Sequence, residues 1–183
     1  ELVLPQSDTV NSQWVQTADL TLSIRCGKWL SLALRTLNTS DQPLVLSQAL
    51  HTYFAISDTS SVYIEGLESQ SYLDKVQQFK RCDPSYQPIT VQHEVDRIYE
   101  GTAPLIKLID PQWQRQIEIT AQNSASTVVW NPWIEKARLM PDFADDEYHS
   151  MICIETANAA SDARLLAPSA AHELSVTYRV TAL

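Results

Sequence analysis

The chain has 183 residues, of which 44% are hydrophobic and 19% are charged. This length suits one domain, and the apolar share is large enough for a folded core and too large for a disordered chain. The 22 acidic residues outnumber the 13 basic ones and give a net charge of −9. This charge disfavours binding to nucleic acids and to anionic membrane surfaces. A small anionic substrate remains compatible, since a few local arginines outweigh a diffuse negative field at short range.

Cysteine usage and hydropathy bear on the compartment. Cys26, Cys82 and Cys153 are widely spaced and form no CxxC pair, which disfavours a disulfide framework and a zinc site. No run approaches the roughly 20 apolar residues of a membrane span, and the N-terminus shows no signal-peptide pattern. We therefore expect a soluble protein of the cytoplasm that carries no metal.

Alternation of apolar and polar residues predicts β-strands along most of the chain. Residues 20–26 and 30–35 each place their apolar side chains on one face, and residues 174–180 show the most regular alternation. Further strands are predicted at residues 44–54, 62–65, 89–95, 105–109, 116–121, 127–130 and 151–155. Many short strands separated by Asn, Asp, Ser and Pro predict an all-β antiparallel sandwich.

Helical structure is predicted to be minor. Residues 133–140, between Pro132 and Pro141, suit one or two helical turns, and residues 58–61 suit a turn. Residues 71–88 are polar and predict a long connection over the sandwich. With only three glycines, the chain has no Gly-rich phosphate loop of the dinucleotide-binding or P-loop kind.

His51 is a candidate for acid–base chemistry, because it follows an apolar strand and lies in the string LHTYF. A half-buried imidazole acts as a general acid near neutral pH. The same pattern is typical of a hydrogen-bonded core histidine, and the residues alone slightly favour that alternative. His93, whose neighbours are polar, is expected at the surface.

Two carboxylates are further candidates. Glu155 ends an apolar strand, where loss of water would raise its pKa and make it a stronger base, although a glutamate facing solvent fits equally well. Asp96 ends the strand predicted at residues 89–95 and lies beside Arg97, so an ion pair between them is the simpler interpretation. Trp130 and Trp133 bracket an Asn-Pro turn and suit either a platform for a sugar ring or core packing.

Five strings together resemble the glucose-6-phosphate 1-epimerases, the hexose-6-phosphate mutarotase branch of the aldose 1-epimerase family. They are ALHTYF (residues 49–54), YLDKV (72–76), EVDRIY (94–99), VVWNPWIEKARLMPDF (128–143) and MICIETAN (151–158). The likeness runs in order from about residue 20 to the C-terminus. Its most specific part is the stretch from WNPW to ETAN.

The resemblance implies the antiparallel super-sandwich of the galactose mutarotase type and an isomerase activity. It makes His51 the catalytic acid, Glu155 the catalytic base and Asp96 a ligand of sugar hydroxyls. Glu155 would take the proton of the anomeric hydroxyl while His51 protonates the ring oxygen, which opens the ring. No cofactor is required, and the expected partner is a small sugar or sugar phosphate. We expect a monomer or weak oligomer.

By the same resemblance, residues 1–183 form a single β-sandwich domain that corresponds to the C-terminal two-thirds of the family's domain. The family's phosphate-binding arginines belong to the more N-terminal third, and Arg81 and Arg97 are the remaining candidates to meet an anion here. Two alternatives stay open. One is a non-catalytic carbohydrate-binding sandwich, and the other is an aldose 1-epimerase that acts on unphosphorylated hexose.

Overall fold

The computed structural model describes residues 1–4 and 17–183, so residues 5–16 of the expected domain lie outside the described part. The strands are β1 (Leu2–Leu4), β2 (Ala18–Cys26), β3 (Leu30–Asn38), β4 (Leu44–Leu46), β5 (Gln48–Leu50), β6 (Tyr53–Ala55), β7 (Tyr63–Glu65), β8 (Tyr72–Asp74), β9 (Lys80–Cys82), β10 (Val95–Glu100), β11 (Ile106–Asp110), β12 (Arg115–Gln122), β13 (Ser126–Asn131), β14 (Met151–Asn158), β15 (Arg164–Leu166) and β16 (Ala171–Ala182). The helical segments are α1 (Trp133–Leu139) and the 3₁₀ turns Glu147–Ser150 and Ala160–Asp162.

Most of these strands form two sheets. The back sheet has the order β1-β2-β3-β16-β12-β11-β7, and the front sheet has the order β5-β14-β13-β10-β8-β9, with β6 also paired to β14. β4 and β15 form a separate pair. Every strand pairing among the described residues is antiparallel, which confirms the predicted all-β architecture.

The core lies between the two sheets, because each strand directs alternate side chains towards the other sheet. Ile152 and Ile154 of β14 and Val129 of β13 pack in one buried cluster with Ile119 of β12 and Val176 of β16. Burying a side chain of this size stabilises the fold by about 1.5–3 kcal/mol. The intervening residues of β14 and β13 point to the opposite, outer face of the front sheet, and that face carries the candidate site.

One predicted strand is wrong in its position. The sequence predicts a strand over residues 89–95, whereas β10 begins at Val95 and only Ile89 makes an isolated bridge, to Ile64. Ile89 and Val91 are nevertheless buried. Their alternation therefore reflects side chains that cover the core, not membership of a sheet.

Two other segments are more divided than expected. Residues 44–54 form three short strands, since β4 pairs with β15 while β5 and β6 both pair with β14. The connection predicted over residues 71–88 contains β8 and β9, and among the residues that the structure describes β9 is an edge strand that pairs only with β8. Edge strands are often short and polar, which explains why this segment looks like a loop in sequence.

The helix predicted between Pro132 and Pro141 is confirmed as α1, of seven residues. Among residues 1–4 and 17–183, no helix is both long enough and apolar enough to cross a bilayer.

Candidate functional site

The outer face of the front sheet carries a cleft of about 380 Å³, which we call the front cleft. Its floor includes Ile98 and Val128, and its polar lining includes His51, Glu155, Asp96 and Lys75. Ile98 and Val128 are buried together with Ala157 in a small apolar cluster. An apolar floor with a few convergent polar groups is the usual form of a small-molecule site.

Strand register brings the two carboxylates to this one face. Glu155 lies opposite Val128 across the pair β14–β13, and Asp96 lies opposite Trp130 across the pair β13–β10. Val128 and Trp130 are two residues apart on β13, so they share a face of the sheet, and their partners share it too. The sequence predicts that each carboxylate ends its strand, and the structure shows that neither does. Each lies within a strand that has neighbours on both sides.

His51 and Glu155 are in direct contact. His51 lies between β5 and β6, and its Nε2 is 3.1 Å from Oε1 of Glu155. The Glu155 side chain is only 8% exposed, while the His51 side chain is 48% exposed. The carboxylate is therefore held at the base of the cleft, and the imidazole is accessible at its mouth. The structure thus excludes a solvent-facing position for Glu155 and a core position for His51.

Burial shifts the pKa values of this pair in opposite directions. Loss of water raises the pKa of Glu155 from 4.5 to about 7; nearby Lys75 opposes this rise and Asp96 adds to it. Burial also lowers the pKa of His51, and the positive charge of Lys75 acts in the same direction. Because the two groups are 3.1 Å apart, their titrations are coupled and belong to the pair. Such a pair can give a proton to one atom and take a proton from another in the same step.

Asp96 forms an ion pair, but not with the residue beside it. Its Oδ2 is 2.9 Å from Nζ of Lys75, which directly follows β8. Arg97 points to the other face of β10, where its Nε lies 3.8 Å from Oδ2 of Asp74. The expected Asp96–Arg97 pair is wrong because adjacent residues of a strand point to opposite faces. Within the described part of the chain, Oδ1 of Asp96 is buried and has no hydrogen-bond partner.

Aromatic rings fix the position of the imidazole. The Tyr53 ring is stacked on His51 with the ring centroids 4.9 Å apart, and Trp130 meets His51 edge-on at 5.8 Å. Trp130 contacts His51 and is only 8% exposed, so it offers little free ring face. Trp133 does not line the front cleft. It packs against the main core, with its ring 5.2 Å from the ring of Tyr148.

The other basic candidates lie away from the front cleft. His93 is exposed, as predicted. Arg81 forms an ion pair with Glu100, and Arg97 is occupied by Asp74 and by the ring of Tyr72. Among residues 1–4 and 17–183, no group of three or more His, Cys, Asp or Glu side chains could hold a metal ion.

Sequence reasoning missed Lys75 and Tyr53 as residues of this site. Tyr53 lies in the ALHTYF string and Lys75 in the YLDKV string, yet a tyrosine on a short strand and a lysine in a polar segment are common surface features. Only the pairing of β8 with β10 reveals that Lys75 reaches Asp96. Those two strings were the available signal, since both belong to the family resemblance.

The raised pKa of Glu155 predicts a pH-dependent gain of stability in Glu155→Gln. Because its folded-state pKa of about 7 exceeds the ordinary value of 4.5, the fold favours the neutral carboxyl. That contribution is fully present below pH 4.5 and is lost as the pH rises through 7. We expect the always-neutral glutamine to raise the free energy of unfolding by about 3 kcal/mol at pH 8 and by little at pH 4.

Denaturant unfolding of both proteins at the two pH values measures this difference. An equal change at pH 4 and pH 8 would contradict a buried carboxyl with a raised pKa.

Comparisons with known proteins place this chain in a family. The family model described as "Aldose 1-epimerase" matches residues 2–179. The chain belongs to the aldose 1-epimerase family. A protein named "Putative glucose-6-phosphate 1-epimerase" from Cenchrus ciliaris is 34% identical over 161 residues, which cover 86% of this chain and 49% of that protein. This aldose 1-epimerase family chain therefore spans about half the length of that relative.

Solved structures share the fold of this family member. The crystal structure of a "putative mutarotase" from Salmonella typhimurium superposes with a TM-score of 0.88 at 24% identity, covering 99% of this chain and 59% of the other. A galactose mutarotase-like protein from Clostridium acetobutylicum gives a TM-score of 0.73 at 12% identity, covering 100% of this chain and 61% of the other. These matches confirm the predicted fold of the galactose mutarotase type.

Proposed function

We propose that this chain interconverts the α and β anomers of a hexose 6-phosphate, such as glucose 6-phosphate, by acid–base opening and closing of the sugar ring. The observation that carries the proposal is the contact between His51 and Glu155 in the front cleft, at 3.1 Å. A general acid and a general base work best when their pKa values lie near the working pH, and Glu155, at about 7, meets that condition.

The reaction suits two groups held side by side, because the two oxygens involved are bonded to the same anomeric carbon. Glu155 takes the proton from the anomeric hydroxyl while protonated His51 donates a proton to the ring oxygen. The bond between the anomeric carbon and the ring oxygen then breaks and leaves an open-chain aldehyde. Rotation of the aldehyde and the reverse transfers close the ring with the other configuration. Protons and electrons balance within the pair and the sugar, so no oxidant or co-reactant is consumed.

The sugar itself is inferred from the volume and the polar lining of the cleft. A volume of about 380 Å³ lies within the usual range for small-ligand sites. Asp96, with its unpartnered Oδ1, provides an acceptor for a ring hydroxyl. The 6-phosphate is supported by the names of relatives such as the Cenchrus ciliaris protein, a "Putative glucose-6-phosphate 1-epimerase".

Exchange spectroscopy by NMR tests the proposal, with the chain added in catalytic amount to glucose 6-phosphate and, separately, to glucose. We expect faster exchange between the α and β anomeric protons of glucose 6-phosphate, with a smaller acceleration for glucose. Equal or greater acceleration for glucose would replace the substrate with an unphosphorylated hexose. Sugar-dependent tryptophan fluorescence without faster exchange would overturn the enzymatic proposal in favour of a carbohydrate-binding sandwich.

A further inference from the structure

Lys75 is a charged residue of the front cleft that takes no part in the proposed proton transfers. Lys75 lines the cleft and pairs with Asp96 at 2.9 Å, and its backbone N–H also donates to the carbonyl oxygen of Asp96 at 2.8 Å. These two contacts fix the lysine against β10. Lys75 is therefore held by both its main chain and its side chain, and its position in the cleft is defined.

Both partners of this pair keep hydrogen-bonding capacity. Oδ1 of Asp96 is buried and, among the described residues, has no partner, while its Oδ2 meets the lysine. An ammonium group has three N–H donors, and the side chain of Lys75 is 36% exposed. A buried polar atom without a partner is costly, so a ligand that satisfies Oδ1 gains affinity there. The pair thus presents an acceptor and a donor next to each other.

The charge of the pair indicates which ligand group it suits. The positive charge of Lys75 is balanced by Asp96, so the pair has no net charge to attract a phosphate. A phosphate placed here would also meet the unpartnered Oδ1 of Asp96, and both would be negative. Two neighbouring sugar hydroxyls fit better, because one can donate to the carboxylate while the other accepts from the ammonium.

The Lys75–Asp96 pair lies away from the place expected for the anomeric carbon. Glu155 is on β14 and Asp96 is on β10, with β13 between them. Neighbouring strands lie about 4.8 Å apart, so the two strands are separated by roughly 10 Å. A sugar whose anomeric carbon meets His51 and Glu155 would present hydroxyls of its more distant ring carbons to Asp96 and Lys75.

We propose that Lys75 is a substrate-binding residue that sets specificity, and that with Asp96 it binds two neighbouring hydroxyls of the sugar ring away from the anomeric carbon. This inference rests on the proposed function for its ligand, a hexose. It adds a donor to the site where the family resemblance implies only the acceptor Asp96.

Binding measurements with Lys75→Met and a set of monodeoxyglucoses test this role. Saturation-transfer NMR or tryptophan fluorescence gives Kd for glucose, for glucose 6-phosphate and for each deoxy sugar. We expect Lys75→Met to raise Kd for glucose and glucose 6-phosphate by the same factor, about tenfold or more. With one deoxy sugar, the one that lacks the hydroxyl bound by Lys75, the variant and the parent should bind alike.

Three further variants separate binding from folding. Lys80→Met makes the same charge change at an exposed position of β9 and should leave Kd unchanged. Lys75→Arg keeps a cationic donor and should recover part of the affinity. Lys75→Met combined with Asp96→Asn avoids a buried unpaired carboxylate, so it should fold as the parent does and still bind weakly.

The outcomes distinguish this inference from the proposed function. An unchanged Kd in Lys75→Met, a loss confined to glucose 6-phosphate, or an equal loss with every deoxy sugar would overturn the role of Lys75, even where anomer exchange is fast. Conversely, Lys75-dependent binding in a parent chain without exchange activity would support the role of Lys75 and overturn the enzymatic proposal.

Discussion

Glu155→Gln is expected to lower the catalysed rate of anomer exchange by about 10²- to 10⁴-fold, the usual contribution of one general acid–base group. The glutamine keeps the size and the hydrogen-bonding reach of the glutamate but cannot accept the proton of the anomeric hydroxyl. Because the side chain lies within β14 and is 8% exposed, little else should move. Exchange NMR on glucose 6-phosphate measures the loss.

Glu118→Gln is the matched control. Glu118 lies on β12 in the back sheet and pairs with Arg179 at 3.9 Å, far from the front cleft in the fold. The rate of anomer exchange catalysed by Glu118→Gln should equal that of the parent chain. If Glu155→Gln retains the parent rate while folded by circular dichroism, Glu155 is not the base.

His51→Asn is expected to cause a loss of similar size, because the asparagine amide cannot protonate the ring oxygen. The imidazole is about half exposed, and the substitution removes its contacts with the Tyr53 and Trp130 rings and with Oε1 of Glu155, so we expect only a modest effect on stability. Because the proposed mechanism has His51 and Glu155 act on one substrate as a unit, the double variant should be about as slow as the slower single variant. Rates of the two single variants and the double variant, measured at one pH, test this relation.

His93→Asn serves as the control for the histidine, since His93 is exposed and does not line the front cleft. It should leave the exchange rate unchanged. If the losses in His51→Asn and Glu155→Gln multiply in the double variant, the two residues act independently and the proposed joint action is wrong.

Sequence patterns predicted the sheets well where strands have one buried and one outer face. β16 is an example, since Leu174, Val176 and Tyr178 alternate with polar residues and are all buried in the structure. The pattern failed at residues 89–94, where Ile89 and Val91 are buried without a neighbouring strand to extend the ladder. Alternation of apolar and polar residues shows which side chains are buried. A β-ladder also needs a neighbouring strand to pair with, and the local sequence does not show whether one is present.

The site was predictable only in part for the same reason. The family resemblance selected His51, Glu155 and Asp96, and the structure brings all three to one cleft. Lys75 could not be assigned from its own segment, because its partner lies 21 positions further along the chain and is brought to it by the pairing of β8 with β10. Long-range pairing of this kind depends on the packing of the whole sheet.

The side chains of β14 alternate between the hydrophobic core and the front cleft, so the position of Glu155 depends on its place in the strand. Ile152 and Ile154 seal the interior while Glu155, the very next residue, faces the cleft. Inserting or deleting a single residue within β14 would point the carboxylate into the hydrophobic core and the isoleucines to the outer face of the sheet. The position of Glu155 in the front cleft therefore depends on the number of residues in β14 as well as on their identity.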